Sequence, residues 1–310
     1  MSRKPKIPFV VGPTAVGKSA LSIELARKIP VEIISADSRQ IFRYMDIGTA
    51  KVSRIIRQAI PHHFVDIIDP DGYFSAGMFS EQARQVIKKI LSRNKIPLVV
   101  GGSGLYIRAL IHGFFSGDIK DRQIRIRLEE ELASKGLEVL YERLERCDPE
   151  YARKISSRDT QRILRSLEVY QVSGIPFSEW HKKGNQEAFF EAVQIGLRMP
   201  REVLYERINQ RVDRMFEQGF IEEVKALLQK GYSSDLNALN TVGYKEICAC
   251  LRGEISLEEA KSLIKRNSRR YAKRQMTWFG RDRTIRWYEI QNKQDLAGIA
   301  NKWLADFKTF

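Results

Sequence analysis

Disulfide and zinc chemistry have little to work with in this chain, which has three cysteines and four histidines. Cys147 stands alone, Cys248 and Cys250 form a C-x-C pair with no second pair, and His62, His63, His112 and His181 fall in no zinc-ligand spacing. This excludes a disulfide framework and a structural zinc site, and it points to reduced thiols in a cytoplasmic protein. Long apolar runs are also missing: nothing nears the roughly 18 residues that cross a bilayer. The basic start Met1-Ser2-Arg3-Lys4-Pro5-Lys6 runs straight into a strand without the apolar region of a secretion signal, so no membrane or export role is expected. Acidic residues are in deficit, 38 against 53 Lys and Arg, for a net charge of +15. Such a surplus suits a polyanionic partner, nucleic acid above all, with a solvated basic surface as the alternative.

What the chain does have is the run Phe9-Val10-Val11-Gly12-Pro13-Thr14-Ala15-Val16-Gly17-Lys18-Ser19. It fits G-x-x-x-x-G-K-[ST] at every fixed position, between an apolar strand and an amphipathic helix. Gly12 and Gly17 let the loop from Gly12 through Pro13, Thr14, Ala15 and Val16 curl so that backbone N–H groups converge on an anion. The helix opening at Lys18 adds its positive end. Lys18 is placed to meet terminal phosphate oxygens and the Ser19 hydroxyl to hold Mg²⁺.

Apolar strands at Ile7–Val11, Val31–Ser35, His63–Ile67, Ile96–Val100, Ala192–Leu197 and Ile285–Tyr288 alternate with helical periodicity. The pattern predicts an α/β fold, a mostly parallel, doubly wound sheet flanked by helices as in P-loop NTPases. Between residues 118 and 187 the strand signal stops and a charged helical pattern takes over. Its apolar set is Ile126, Leu128, Leu132, Leu137, Leu140, Leu144, Ile163, Leu164 and Leu167. The expected organisation is therefore a core of residues 1–117 and 188–310 with an inserted all-helical lobe at 118–187. Further helices are expected over Arg201 to about Gln229, Thr241–Leu251 and Leu257–Phe279, followed by a terminal helix.

Two further elements carry chemistry. A routine ATPase ends an apolar strand on an acid that helps hold Mg²⁺; here Pro97–Val100 runs into Gly101-Gly102-Ser103-Gly104. That argues against ATP hydrolysis and suggests a glycine turn over which a ligand approaches the backbone, with Ser103 offering a hydroxyl. Asp37 stands where the second strand leaves the sheet. A carboxylate there can be a general base, a Mg²⁺ ligand or an acceptor for a base or sugar, or simply cap a helix over Ser38–Tyr44. The basic surplus gathers between Lys261 and Arg286, opposed only by Asp282, on a helix whose expected apolar stripe is Leu257, Ala260, Ile264, Tyr271 and Trp278. With Arg158, Arg162 and Arg165 of the lobe, it suits a folded RNA better than a small ligand.

Together these runs resemble the tRNA dimethylallyltransferase family, also called tRNA isopentenyltransferase, in its bacterial form. The resemblance covers nearly the whole chain. It rests on Gly12–Ser19, Ser35-Ala36-Asp37-Ser38-Arg39-Gln40, Met45–Lys51, Gly101–Tyr106, Asp159-Thr160-Gln161-Arg162, Val242-Gly243-Tyr244 and Arg270–Trp278, in that order. It implies transfer of a dimethylallyl group from dimethylallyl diphosphate to N6 of the adenosine 3′ of the anticodon, with release of diphosphate. It further implies that Lys18, Ser19 and Arg211 hold the diphosphate with Mg²⁺, that Asp37 is the base, and that Ser103 stands where the family often has threonine. Asp37, Ser38, Arg39, Gln40, Ser103, Arg125, Gln161, Arg162, Ile163, Leu164, Arg165, Lys273 and Arg274 are the implied tRNA contacts on the anticodon stem-loop. A cytoplasmic monomer is expected. An adenylate isopentenyltransferase, a P-loop nucleotide kinase and a non-catalytic RNA-binding protein are the competing readings.

Overall fold

A computed structural model describes residues 4–114, 119–183, 187–291 and 294–308. In chain order its first elements are β1 (Lys6–Val11), α1 (Lys18–Ala26), β2 (Val31–Ala36), α2 (Arg54–Ala59), β3 (His62–His63), α3 (Ala76–Leu91), β4 (Ile96–Gly101) and α4 (Gly104–His112). Five helices follow: α5 (Arg122–Lys135), α6 (Leu137–Cys147), α7 (Pro149–Ala152), α8 (Thr160–Ser173) and α9 (Phe177–Lys183). The chain then returns to β5 (Glu191–Arg198), α10 (Arg201–Glu217), α11 (Phe220–Gln229), α12 (Tyr244–Leu251), α13 (Leu257–Phe279), β6 (Arg286–Glu289) and α14 (Asp295–Lys308).

Two compact units result. One takes the chain up to Ser75, Gln82–Arg108 and everything from Phe189 onward; the other takes Ala76–Glu81 and Ala109–Ala188. The first unit holds a six-stranded sheet in the order β3-β2-β4-β1-β5-β6, with every pairing parallel. Its central strands are covered on both faces, which is why β1 and β4 read as nearly continuous apolar runs rather than as alternating ones, while the buried Glu32 of β2 is paired with His63, Arg93 and Lys95. Leu21 and Leu25 of α1 pack with Val10, Ile33 and Leu98 of the sheet and with Ile299 and Trp303 of α14. The second unit has its own core of Leu128, Leu140, Leu144, Ala152, Ile163, Leu164 and Leu167.

Several expectations change. The third strand shrinks to two residues, because Phe64 and Asp66 take positive φ angles of 63° and 56° that no strand accommodates. The helix expected from Arg201 to Gln229 breaks into α10 and α11 at Gly219, whose φ is 92°. No helix forms over Ser38–Tyr44, so Asp37 caps none. Ile126 lies exposed on α5, outside the lobe core. On α13 the buried residues are Ala260, Ile264, Ala272, Gln275 and Phe279, while Leu257 and Trp278 are exposed. The lobe's first boundary, Gly184 and the start Met1-Ser2-Arg3 lie outside the described residues. Among the described residues no helix is long and apolar enough to cross a membrane.

Candidate active site

Parallel β1, β2 and β4 end at one edge of the sheet, and the loops leaving them build the site. After β1 the chain turns at Gly12 with φ 141°; a Cβ there would lie 2.6 Å from the Leu197 carbonyl oxygen. Gly17, at φ 114°, opens α1. Lys18 folds over the loop and its Nζ donates to the carbonyls of Gly12 at 2.9 Å and Pro13 at 2.7 Å. Burial lowers the Lys18 ammonium pKa to about 8; Asp37 opposes the shift and Arg211 adds to it. Arg211, on α10, donates to the Thr14 hydroxyl at 3.2 Å.

β2 delivers the opposite wall. Asp37 Oδ1 accepts from the Arg39 N–H at 2.9 Å, an Asx turn in place of a helix cap. The Ser103 hydroxyl accepts from the Ser38 N–H at 3.0 Å, and the Ser103 N–H donates to the Ala36 carbonyl at 3.1 Å. The glycine turn after β4 serves protein contacts: a Cβ on Gly101 would sit 2.1 Å from the Ala36 oxygen, and one on Gly102 would sit 2.2 Å from Gln275 Nε2. The expected close approach of a ligand is thus taken by β2 and by Gln275. Tyr271 shares a hydrogen bond with Ser103, and burial, then the charge of Asp37, push its phenol up to about 12, so it keeps its proton.

Two adjoining pockets meet at Asp37, both within the first unit. One, of about 390 Å³, is lined by Lys18, Ser19, Arg207, Arg211 and Arg214, a cationic wall suited to a polyphosphate. The other, of about 370 Å³, combines apolar Ile208, Val212, Met215 and Ile264 with polar Thr241, Ser268 and Arg274. Thr14, Ala15, Asp37, Arg211 and Tyr271 line both. No group of three His, Cys, Asp or Glu residues gathers among the described residues. The Ser19 hydroxyl and Asp37 carboxylate do line the cationic pocket, and a few hard oxygens of this kind fit Mg²⁺ that takes its remaining ligands from phosphate and water.

Other predicted residues are already engaged. Arg39 donates to the Asn237 carbonyl and side chain, both at 2.7 Å, and Gln40 bridges Ser35 and Thr49. On α13, Lys261 pairs with Glu258, Lys265 with Asp213, and Arg269 binds Asn209, so Arg266, Arg270, Lys273 and Arg274 form the exposed basic face. Within the lobe, Arg125 pairs with Glu129, Arg162 with Asp159 and Arg165 with Glu168. Gln161 and Arg162 are exposed, whereas Ile163 and Leu164 are buried in the lobe core. The implied contact through those two side chains is corrected: they hold the helix, and their neighbours face outward.

The sequence reading missed Gln275 and Glu223. The Glu223 carboxylate accepts from the N–H groups of Asp46, Ile47 and Gly48 at 2.7–3.1 Å and from the Tyr244 hydroxyl at 2.6 Å. It thereby fixes the loop that carries Ile47, Thr49 and Ala50 into the cationic pocket. The runs Met45–Lys51 and Arg270–Trp278 held the signal, but not the partner on each side.

The IPP transferase family model matches residues 40–282. The chain is 48% identical over 303 residues to the tRNA dimethylallyltransferase of Carboxydothermus hydrogenoformans, covering 97% of each. It is 45% identical to that of Geobacter sulfurreducens over 97% of each. Among solved structures, the full-length tRNA isopentenylpyrophosphate transferase of Bacillus halodurans superposes with a TM-score of 0.71 at 39% identity, over 99% of this chain and 98% of that one. A eukaryotic dimethylallyltransferase acting on tRNA gives a TM-score of 0.78 at 29% identity, over 97% and 80%.

Proposed function

The chain belongs to the IPP transferase family, and from that membership and the site's geometry we propose that it moves a dimethylallyl group from dimethylallyl diphosphate to N6 of the adenosine 3′ of the anticodon in tRNA. The observation that carries this reading is Asp37 at the junction of a cationic pocket and a pocket part apolar, part polar. The first suits a diphosphate, and the second suits a prenyl chain and a flat base. The C–N bond forms as the carbon–oxygen bond to diphosphate breaks. The N6 proton passes to Asp37 and the electron pair leaves on the diphosphate. The N6 lone pair is delocalised into the purine, so taking its proton as the bond forms makes it the stronger nucleophile.

Lys18, Ser19 and Arg211 hold the leaving group, whose growing charge their dipoles and cations meet without reorganisation. Mg²⁺, when bound through Ser19 and the diphosphate, would neutralise further charge on the departing oxygens. The target adenosine is stacked in the anticodon loop and must be flipped outward to reach Asp37. Ser103 and Tyr271 flank the carboxylate; Lys273 and Arg274 grip the RNA backbone, with Arg125, Gln161, Arg162 and Arg165 of the lobe as further contacts. We read the enzyme as a cytoplasmic monomer.

The deciding assay supplies labelled dimethylallyl diphosphate and Mg²⁺ with either unmodified tRNA or AMP. Label is expected in tRNA alone. Label in AMP alone would make this an adenylate isopentenyltransferase; in a parallel reaction with ATP and AMP in place of the prenyl donor, passage of the γ-phosphoryl to AMP with release of ADP would make it a kinase. A second outcome follows from charge. Lys273→Ala with Arg274→Ala removes two cations of the exposed face, so the slope of log Kd for tRNA against log salt should flatten by about 1 to 2. An unchanged slope would make that face merely solvated.

A further inference from the structure

We propose that Gln275 is a positioning residue that sets the diphosphate loop against the turn carrying Ser103. The residue is 6% exposed, and its one amide spans two segments remote in sequence. Oε1 accepts from the Thr14 N–H at 2.8 Å, and Nε2 donates to the Gly102 carbonyl at 2.9 Å. Gly102 is part of the same device, since a Cβ there would come within 2.2 Å of Nε2 and push the amide out.

The bond to Thr14 has a consequence for the donor. It withdraws one loop N–H from the anion cradle and leaves Thr14 held on both sides, by Gln275 at its backbone and by Arg211 at its hydroxyl. From Gly102 the chain continues to Ser103, whose hydroxyl accepts the Ser38 N–H beside Asp37. The loop holding the leaving group and the turn supporting the base are thus tied through one side chain. A shift of about 1 Å between reacting groups can cost on the order of a hundredfold in rate. Gln275 borders the cationic pocket, but both polar ends of its amide are hydrogen-bonded to protein, so its effect passes through Thr14 and Ser103. It comes from α13, the helix whose outer face bears Lys273 and Arg274, which joins the loop to the RNA-facing element.

The inference rests on the proposed function for its meaning but can be read without it. Gln275→Met keeps length and volume and makes neither bond. Gln275→Glu keeps the acceptor for Thr14 and loses the donor to Gly102 until its carboxyl is protonated. Pyrophosphate affinity by calorimetry should fall about tenfold in Gln275→Met, and the donor KM with it, because a buried N–H and carbonyl lose their partners. The tRNA Kd should stay within about twofold, a split that a general loosening of the fold would not produce. In Gln275→Glu the deficit relative to wild type at the same pH should shrink as pH falls from 8 to 5. The protonated carboxyl then offers one acceptor and one donor, as the amide does.

Wild-type pyrophosphate affinity in a folded Gln275→Met protein, or a deficit in Gln275→Glu that ignores pH, would overturn the proposal. If Gln275→Met does not fold, the pH response of Gln275→Glu decides. Failure of wild-type protein to prenylate tRNA would remove the proposed function, while the pyrophosphate readout would still judge the clamp.

Discussion

Asp37→Ala is expected to lower kcat for dimethylallyl transfer by roughly 10²- to 10⁴-fold, the usual worth of a positioned general base, while the enzyme still binds tRNA and diphosphate. Alanine also frees the Arg39 N–H that Oδ1 accepts, so the variant could lose its turn along with its base. Asp37→Asn separates the two effects. An asparagine oxygen can keep that 2.9 Å bond, yet its amide cannot take a proton from N6. The geometry therefore predicts that Asn is nearly as slow as Ala in single-turnover assays at saturating donor, with a tRNA Kd close to wild type. If Asn turned over within about tenfold of wild type, the loss in Ala would belong to the turn, and another group would have to take the proton.

The legible part of this fold was what the chain encodes locally. Strands buried on both faces announce themselves as runs such as Phe9-Val10-Val11, and the phosphate loop needs its glycines at fixed positions because of backbone geometry. The illegible part was made by long-range partners. Gln275 and Thr14 are 261 residues apart, and no periodicity on α13 separates a buried glutamine from a solvated one. Trp278 reads as part of an apolar stripe, yet it is 38% exposed and lies against Gly104, where a Cβ would come within 2.2 Å of its indole nitrogen. The basic surplus misled in the same way. Composition counts Lys265 and Arg269 with Lys273 and Arg274, but Asp213 and Asn209 of α10 hold the first two. Only packing tells a cation that staples two helices from one that faces outward.

Lys18→Ala is expected to reduce kcat/KM for the donor by roughly 10²- to 10³-fold, the scale of removing one preorganised group from a developing anion. Its signature is a pH profile. In wild type the Lys18 pKa stands at about 8, so the ammonium is charged below that value and neutral above it. A bound diphosphate raises the pKa, because its negative oxygens favour the charged form. Binding is then strongest below pH 8 and weakens as pH rises through it, with proton uptake on binding above pH 8 measurable from the buffer dependence of the calorimetric heat. Removing the amine should abolish that part of the pH dependence. Arg211→Ala, by contrast, should keep it and move the midpoint upward, since Arg211 is one of the groups holding the Lys18 pKa down and a guanidinium itself stays charged throughout this range. Equal pH profiles in the Lys18→Ala variant and wild type would show that Lys18 does not hold the diphosphate, and would leave that task to the arginines of α10.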